Sequence, residues 1–254
     1  KGRLPAGVTA SVVPPVVPDE TVSITVRKPS SVTMTLPDFE AAGLFRDTRI
    51  AEKKVSPQEM ELLALLRAGR HVEFFERAVK ARLNILISGA TGSGKTTLSK
   101  GLIQLIPSQE RLLTIEDTRE LVVGQKNVVH MLYAKDGQGT ANVTAKHLLE
   151  SALRMRPDRI LLQELRDGTA FFYLRNVNSG HPGSITTIHA DSAELAFEQL
   201  TLLVKESEGG SDLARGDIRA LLKMLVDVVV QTKKTDGEFR VTEIYYDPEG
   251  RHVA

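Results

Sequence analysis

Residues Gly89-Ala90-Thr91-Gly92-Ser93-Gly94-Lys95-Thr96-Thr97 constrain this chain more than any other stretch, because they match the spacing GxxxxGK[ST]. Their setting fits as well. Ile85-Leu86-Ile87 before them reads as an apolar strand, and Leu98, Leu102, Ile103 and Leu105 after them mark an amphipathic helix. Glycines in such a loop let successive backbone N–H groups turn toward phosphate, and the helix N-terminus adds partial positive charge. The expectation is a phosphate cradle for ATP made by Gly89, Thr91, Gly92, Ser93, Gly94, Lys95, Thr96 and Thr97. Lys95 then neutralises the β- and γ-phosphates, and the Thr96 hydroxyl ligates Mg2+. A chance match to the pattern somewhere in a chain of this length is on the order of 1%, given ordinary glycine usage.

Strands over 84–88, 111–116, 159–163 and 184–189 alternate with helices over 144–155, 169–177 and 192–205. That order predicts an α/β fold. Upstream, Ser56-Pro57-Gln58-Glu59 combines an N-cap serine, a proline at the first helical position and a capping-box glutamate. Leu62, Leu63, Leu65 and Leu66 follow, and Gly69 ends the helix; Val72, Phe74, Phe75 and Val79 mark a second. The first 36 residues are rich in Val, Thr, Ser and Pro and alternate through Thr21-Val22-Ser23-Ile24-Thr25-Val26, which reads as strand. A polar stretch follows. The expected division is a β-rich N-terminal unit over 1–45, a linker over 46–56 and an ATPase domain over 57–254. The sequence begins without Met and turns strand-like almost at once, so upstream residues are expected to be missing and the N-terminal unit to be partial.

Composition narrows the function classes. Lys+Arg 33 against Asp+Glu 32 leaves a net charge of +1, so nothing in bulk charge points to nucleic acid or an anionic membrane. Tryptophan is absent and aromatics are 5% of the chain, which argues against a stacking groove for single strands. No apolar run approaches the ~20 residues of a membrane-spanning helix. With no cysteine there is no disulfide framework or thiolate metal site, which suits a reducing cytoplasm.

A phosphate loop alone does not separate a switch from a motor. Arg159-Ile160-Leu161-Leu162-Gln163-Glu164 is an apolar strand that delivers a carboxylate to the C-terminal edge of the sheet, where Glu164 can hold Mg2+ or orient water. Leu112-Leu113-Thr114-Ile115-Glu116-Asp117 ends likewise. There Asp117 has a plainer reading, as the cap of the turn after the strand. His189 ends the apolar strand of Ser179-Gly180-His181-Pro182-Gly183-Ser184-Ile185-Thr186-Thr187-Ile188-His189, a place from which a side chain can sense a γ-phosphate. Asp236-Gly237 predicts a hairpin turn near the C-terminus.

Taken together, GATGSGKTT, TIEDTREL (114–121), LRMRPDRILLQELRD (153–167), SGHPGSITTIHA (179–190) and VSITVRKPS (22–30) resemble the secretion ATPase superfamily, and within it the hexameric traffic ATPases of type IV secretion. The resemblance implies a P-loop, RecA-like ATPase core with a smaller, mainly β N-terminal domain. It also implies a homo-hexamer working with other inner-membrane ATPases and channel components, cytoplasmic and peripheral to the inner membrane. Among the residues, it implies that Glu116 helps activate water, that Glu164 acts around Mg2+ and that His189 links phosphate state to movement. Arg27 and Arg156, and Arg46 or Arg49, sit where the family's arginines approach the phosphates. Gln163 departs from the pattern by standing where the family has glycine. A nucleic-acid translocase and a nucleotide-binding scaffold with little turnover are the competing readings.

Overall fold

The structure, a computed structural model, describes residues 9–13, 23–28, 30–50, 54–134, 143–178, 180–207 and 209–253. Strand β1 (Thr9–Val13) pairs antiparallel with β2 (Ser23–Arg27), with Thr9 opposite Arg27, in a two-stranded sheet of their own. The short helix α1 (Leu36–Ala41) follows a Thr35–Asp38 capping box.

Helix α2 (Pro57–Arg67) starts at the expected capping box: the Ser56 amide donates to Glu59 Oε2 at 2.7 Å, and the Glu59 amide donates to Ser56 Oγ at 3.2 Å. These reciprocal bonds satisfy two amides that the first helical turn leaves without partners. After α3 (His71–Lys80), the chain runs through β3 (Ile85–Gly89), α4 (Lys95–Ile103), β4 (Leu112–Glu116), β5 (Val128–Leu132), α5 (Ala145–Ala152), β6 (Arg159–Leu162), α6 (Thr169–Asn178) and β7 (Ile185–Ile188). It ends with α7 (Ala193–Lys205), α8 (Arg215–Leu225), β8 (Val228–Thr235), β9 (Glu238–Tyr246) and α9 (Pro248–Val253).

The strands order as β7-β3-β8-β9 and β5-β4-β6, and a parallel bridge between Glu164 and Thr187 joins β6 to β7. Every pairing among them is parallel except β8 with β9. The parallel strands therefore end at one common edge, and β7 separates the phosphate-loop strand from the Glu164 strand. Both faces are covered. Ile85, Ile87, Val228 and Val230 pack with α2, α3 and α4, whereas Leu86, Ile115 and Val229 pack with α5 to α8. Strands buried on two faces read as continuous apolar runs rather than alternating ones, which is why the sequence signalled them so strongly. Edge strand β5 and the uncapped α8 gave no such signal. The hairpin is as expected: Asp236 (φ 54°) and Gly237 (φ 83°) both take the left-handed conformation that a two-residue turn requires.

The opposite, N-terminal edge of the sheet is tied by a buried ion pair. The Arg159 guanidinium, fully out of water, donates to Glu110 Oε2 (2.7 Å) and Oε1 (3.1 Å), to the Val79 carbonyl (2.9 Å) and to the Gly183 carbonyl (3.2 Å). A Cβ at Gly183 would lie 2.5 Å from Arg159 Nη1, so glycine there lets the backbone reach the cation. Asn84 Oδ1 accepts from the Gly183 and Ser184 amides, and His181 Nδ1 lies 2.9 Å from the Pro157 carbonyl oxygen. These bonds fix where β7 begins, and so where His189 ends it. Glu110→Ala leaves a buried, unpaired arginine and is expected to cost about 3–5 kcal/mol of stability in urea denaturation. A cost below about 1 kcal/mol would show that the pair does not anchor this edge.

Candidate functional site

The phosphate loop turns between β3 and α4 and is fastened to β8. A Cβ on Gly89 would fall 2.3 Å from Ser93 Oγ and 2.4 Å from Thr232 Oγ1, so only glycine permits that approach. Thr232 Oγ1 donates to the Ser88 carbonyl at 3.0 Å, and it lies 2.9 Å from Ser93 Oγ, which is therefore the donor between the two hydroxyls. Gly94 caps α4 at φ 90°, against the ring of Phe239. Thr91, Gly92 and Thr97 lie exposed on the loop and first turn, and Thr96 is half-buried.

Lys95 is only 8% exposed. Its ammonium donates to the Gly89 carbonyl (2.7 Å) and the Ala90 carbonyl (3.0 Å), and lies 3.3 Å from His189 Nδ1. Burial pulls its pKa down, and the charge of Glu164 opposes that shift. Because Lys95 can only donate, His189 Nδ1 faces it with a lone pair and the ring proton sits on Nε2. That nitrogen is 2.7 Å from Glu164 Oε1.

Glu164 leaves β6 just where the bridge to Thr187 forms. Arg166 grips its other oxygen, with Nε and Nη2 at 2.7 and 2.5 Å from Oε2. Arg166 Nη1 then reaches Asp117 Oδ2 at 2.6 Å. The hydrogen bond to Glu164, above all, raises the guanidinium pKa further. A line of contacts thus runs Lys95, His189, Glu164, Arg166, Asp117, drawn from four strand ends on one edge of the sheet. Gln163 fits without glycine's freedom: it is not among the residues at positive φ, its amide donates to the Ile115 carbonyl at 3.1 Å, and its carbonyl accepts from Thr187 Oγ1 at 3.0 Å.

Glu116 and the expected arginines do not join this line. Glu116 is fully buried, and its Oε1 accepts from the Glu120 and Leu121 amides at 2.9 and 2.7 Å, while Oε2 accepts from Thr114 Oγ1 at 2.9 Å. His130 stands behind it, with Nδ1 2.8 Å from the Thr114 hydroxyl. Burial alone would raise the Glu116 pKa, but bonding to His130, the two amides and Thr114 outweighs it and holds the carboxyl below its ordinary value. Glu116 thus makes the turn-capping bonds that the sequence suggested for Asp117, while Asp117 pairs with Arg166 at the end of the line. Arg156 is exposed in the loop before β6, with φ 52°, at the edge of the sheet opposite the phosphate loop. Arg27 is exposed at the end of β2, and its side chain forms no hydrogen bond or ion pair among the described residues. Arg46 and Arg49 are also exposed. Arg166 was overlooked although it lies two residues beyond Glu164; a cation that close to a strand-end acid was the available signal.

Glu116→Gln is expected to lower stability at pH 7 by about 1.5–3 kcal/mol, the range for hydrogen bonds to a charged group. Its folded pKa is depressed, so this contribution is full above the ordinary glutamate value of about 4.3 and fades as pH falls through the lower folded value. Denaturation at neutral and acid pH should show the gap between wild type and variant closing. A gap that is constant with pH would contradict the role of the ionised carboxyl.

Comparison with known proteins agrees with this geometry. The family described as "Type II/IV secretion system protein" matches residues 15–239. The type IV secretion system protein VirB11 of Bartonella quintana is 58% identical over 248 residues, covering 93% of this chain and 70% of that protein. The VirB11 protein of Brucella suis is 46% identical over 257 residues, covering 98% and 71%. The crystal structure of the Brucella suis VirB11 ATPase in complex with sulphate superposes with a TM-score of 0.90 at 44% identity, covering 99% of this chain and 76% of that one. The Legionella pneumophila ATPase DotB, at 20% identity and a TM-score of 0.50, shares the fold alone. With a family match across most of its length and these relatives, the chain belongs to the type II/IV secretion system protein family, among the ATPases of type IV secretion.

Proposed function

We propose that this ATPase seats Mg-ATP on the 89–97 loop and hydrolyses it through Glu164 and His189, as one subunit of a ring that powers type IV secretion. The observation that carries this reading is the run of contacts from Lys95 through His189 to Glu164. A triphosphate on the loop would compete with the Gly89 and Ala90 carbonyls for the Lys95 ammonium. Once Lys95 turned to phosphate, His189 Nδ1 would lose its donor and the Nε2 contact to Glu164 could loosen. Glu164 would then be placed to orient the water that attacks the γ-phosphorus as the bond to the β-phosphate oxygen breaks.

Among the described residues no three His, Cys, Asp or Glu side chains form a metal cage, and Thr96 Oγ1 makes no hydrogen bond. That donor set suits Mg2+, which keeps waters and substrate phosphates and takes few protein ligands. Thr96 and Glu164 would hold it, and it would screen the charge of the β- and γ-oxygens.

The ring is supported by where Arg156 lies. In its own chain it cannot approach the loop, so the phosphate contact implied by resemblance requires a neighbouring subunit. Arg27 is proposed to act from a separate N-terminal unit over 1–45, joined by 46–56, that swings over the nucleotide. No helix among the described residues is long and apolar enough to cross a membrane, and we place the protein peripherally at the inner membrane beside the other secretion ATPases.

Lys95→Ala is expected to abolish tight ATP binding, read by titration calorimetry. Glu164→Gln is expected to spare binding and cut turnover by about 100-fold or more, as removal of a water-activating group does. Equal losses of binding in both variants would make Glu164 a structural residue, and unchanged turnover in Glu164→Gln would overturn the reading.

A further inference from the structure

On the β8–β9 hairpin, Phe239 and Val241 take no part in the hydrophobic core. Thr232 lies opposite Val241, and Lys234 lies opposite Phe239, so these four side chains share one face of the ribbon. This face turns toward the phosphate loop. Thr232 Oγ1 meets Ser93 Oγ at 2.9 Å, and a Cβ built on Gly94 would lie 3.1 Å from Phe239 Cδ1. Yet Phe239 is 59% exposed and Val241 44% exposed. Lys234 Nζ rests 5.6 Å from the Phe239 ring centroid, an arrangement that steadies the ring at the rim.

The order of the sheet decides what this face can meet. On one side of β3 lie β7 and β6, which bring His189 and Glu164; on the other lie β8 and β9. A triphosphate whose γ-phosphate faces Glu164 must leave the loop at its other end on the β8–β9 side. The nucleoside of such a triphosphate would then lie over Gly94 toward Phe239.

We propose that Phe239, flanked by Val241 and Lys234, is the platform on which the nucleotide base stacks. The inference rests on the reading of the 89–97 loop as the triphosphate seat. A stacking platform reads the face of a base rather than its hydrogen-bonding edge, so it favours large purine rings over pyrimidines.

The test is equilibrium binding of ATP, CTP and inorganic tripolyphosphate, each with Mg2+, to wild type, Phe239→Ala, Phe239→Trp and Lys95→Ala. Phe239→Ala is expected to weaken ATP about tenfold while leaving tripolyphosphate unchanged, and Phe239→Trp to keep ATP affinity near wild type. Turnover should show the same division, with KM raised and kcat kept in Phe239→Ala. ATP affinity unchanged in Phe239→Ala, or ATP and tripolyphosphate weakened alike, would overturn the platform. Tripolyphosphate binding unaffected by Lys95→Ala would instead overturn the loop assignment beneath it.

Discussion

A lysine ammonium almost out of water has to be answered by its surroundings, and much of this molecule is arranged to answer it. Two carbonyls of its own loop and the lone pair of His189 surround Lys95 Nζ, and the charge of Glu164 favours its charged form. Each of those groups is held in turn. The Ala90 carbonyl also accepts from the Ser93 amide, the Ser88 carbonyl just before Gly89 accepts from Thr232, the start of β7 is held at the Arg159–Glu110 pair, and Arg166, itself paired with Asp117, holds Glu164. The cation is thus stable where it is and also exchangeable, because phosphate oxygens are stronger partners than neutral carbonyls.

Sheet order converts this local chemistry into direction. Placing β7 between the loop strand and the acidic strand interposes a histidine between the lysine and the glutamate, in contact with both. The strand on the far side of the loop, β8, supplies Thr232 beneath it and the hairpin beside it. The two ends of a nucleotide would then meet different chemistry, ionic at β6–β7 and apolar at β8–β9. That polarity follows from topology rather than from any single motif.

What could be seen in the sequence was what depends on near neighbours. The capping box at Ser56–Glu59, the Asp236-Gly237 turn and the Gly89–Thr97 loop are each set by contacts within a few residues or by backbone conformations that few residue types adopt. Strands β3, β4, β6 and β7 announced themselves because burial on both faces leaves an unbroken apolar run. That Glu116 rather than Asp117 caps the turn after β4 was not visible, since it depends on which carboxylate the amides of Glu120 and Leu121 point toward. The position of Arg156 was hidden for another reason: resemblance carried a role, but only the parallel register shows that the segment before β6 lies at the opposite edge from the loop. Phe239 was passed over because a lone aromatic near a turn has no local signature, and its meaning comes from Gly94, far away in sequence.

The account stands on Lys95 exchanging loop carbonyls for phosphate and thereby releasing the contacts beyond it. A crystal structure with Mg2+ and a non-hydrolysable ATP analogue tests this most directly. It should show Lys95 Nζ within hydrogen-bonding distance of β- and γ-phosphate oxygens, away from the Gly89 and Ala90 carbonyls, with the His189 Nε2 to Glu164 Oε1 separation lengthened beyond its present 2.7 Å. An analogue bound on the loop with Lys95 still on both carbonyls and that separation unchanged would contradict it.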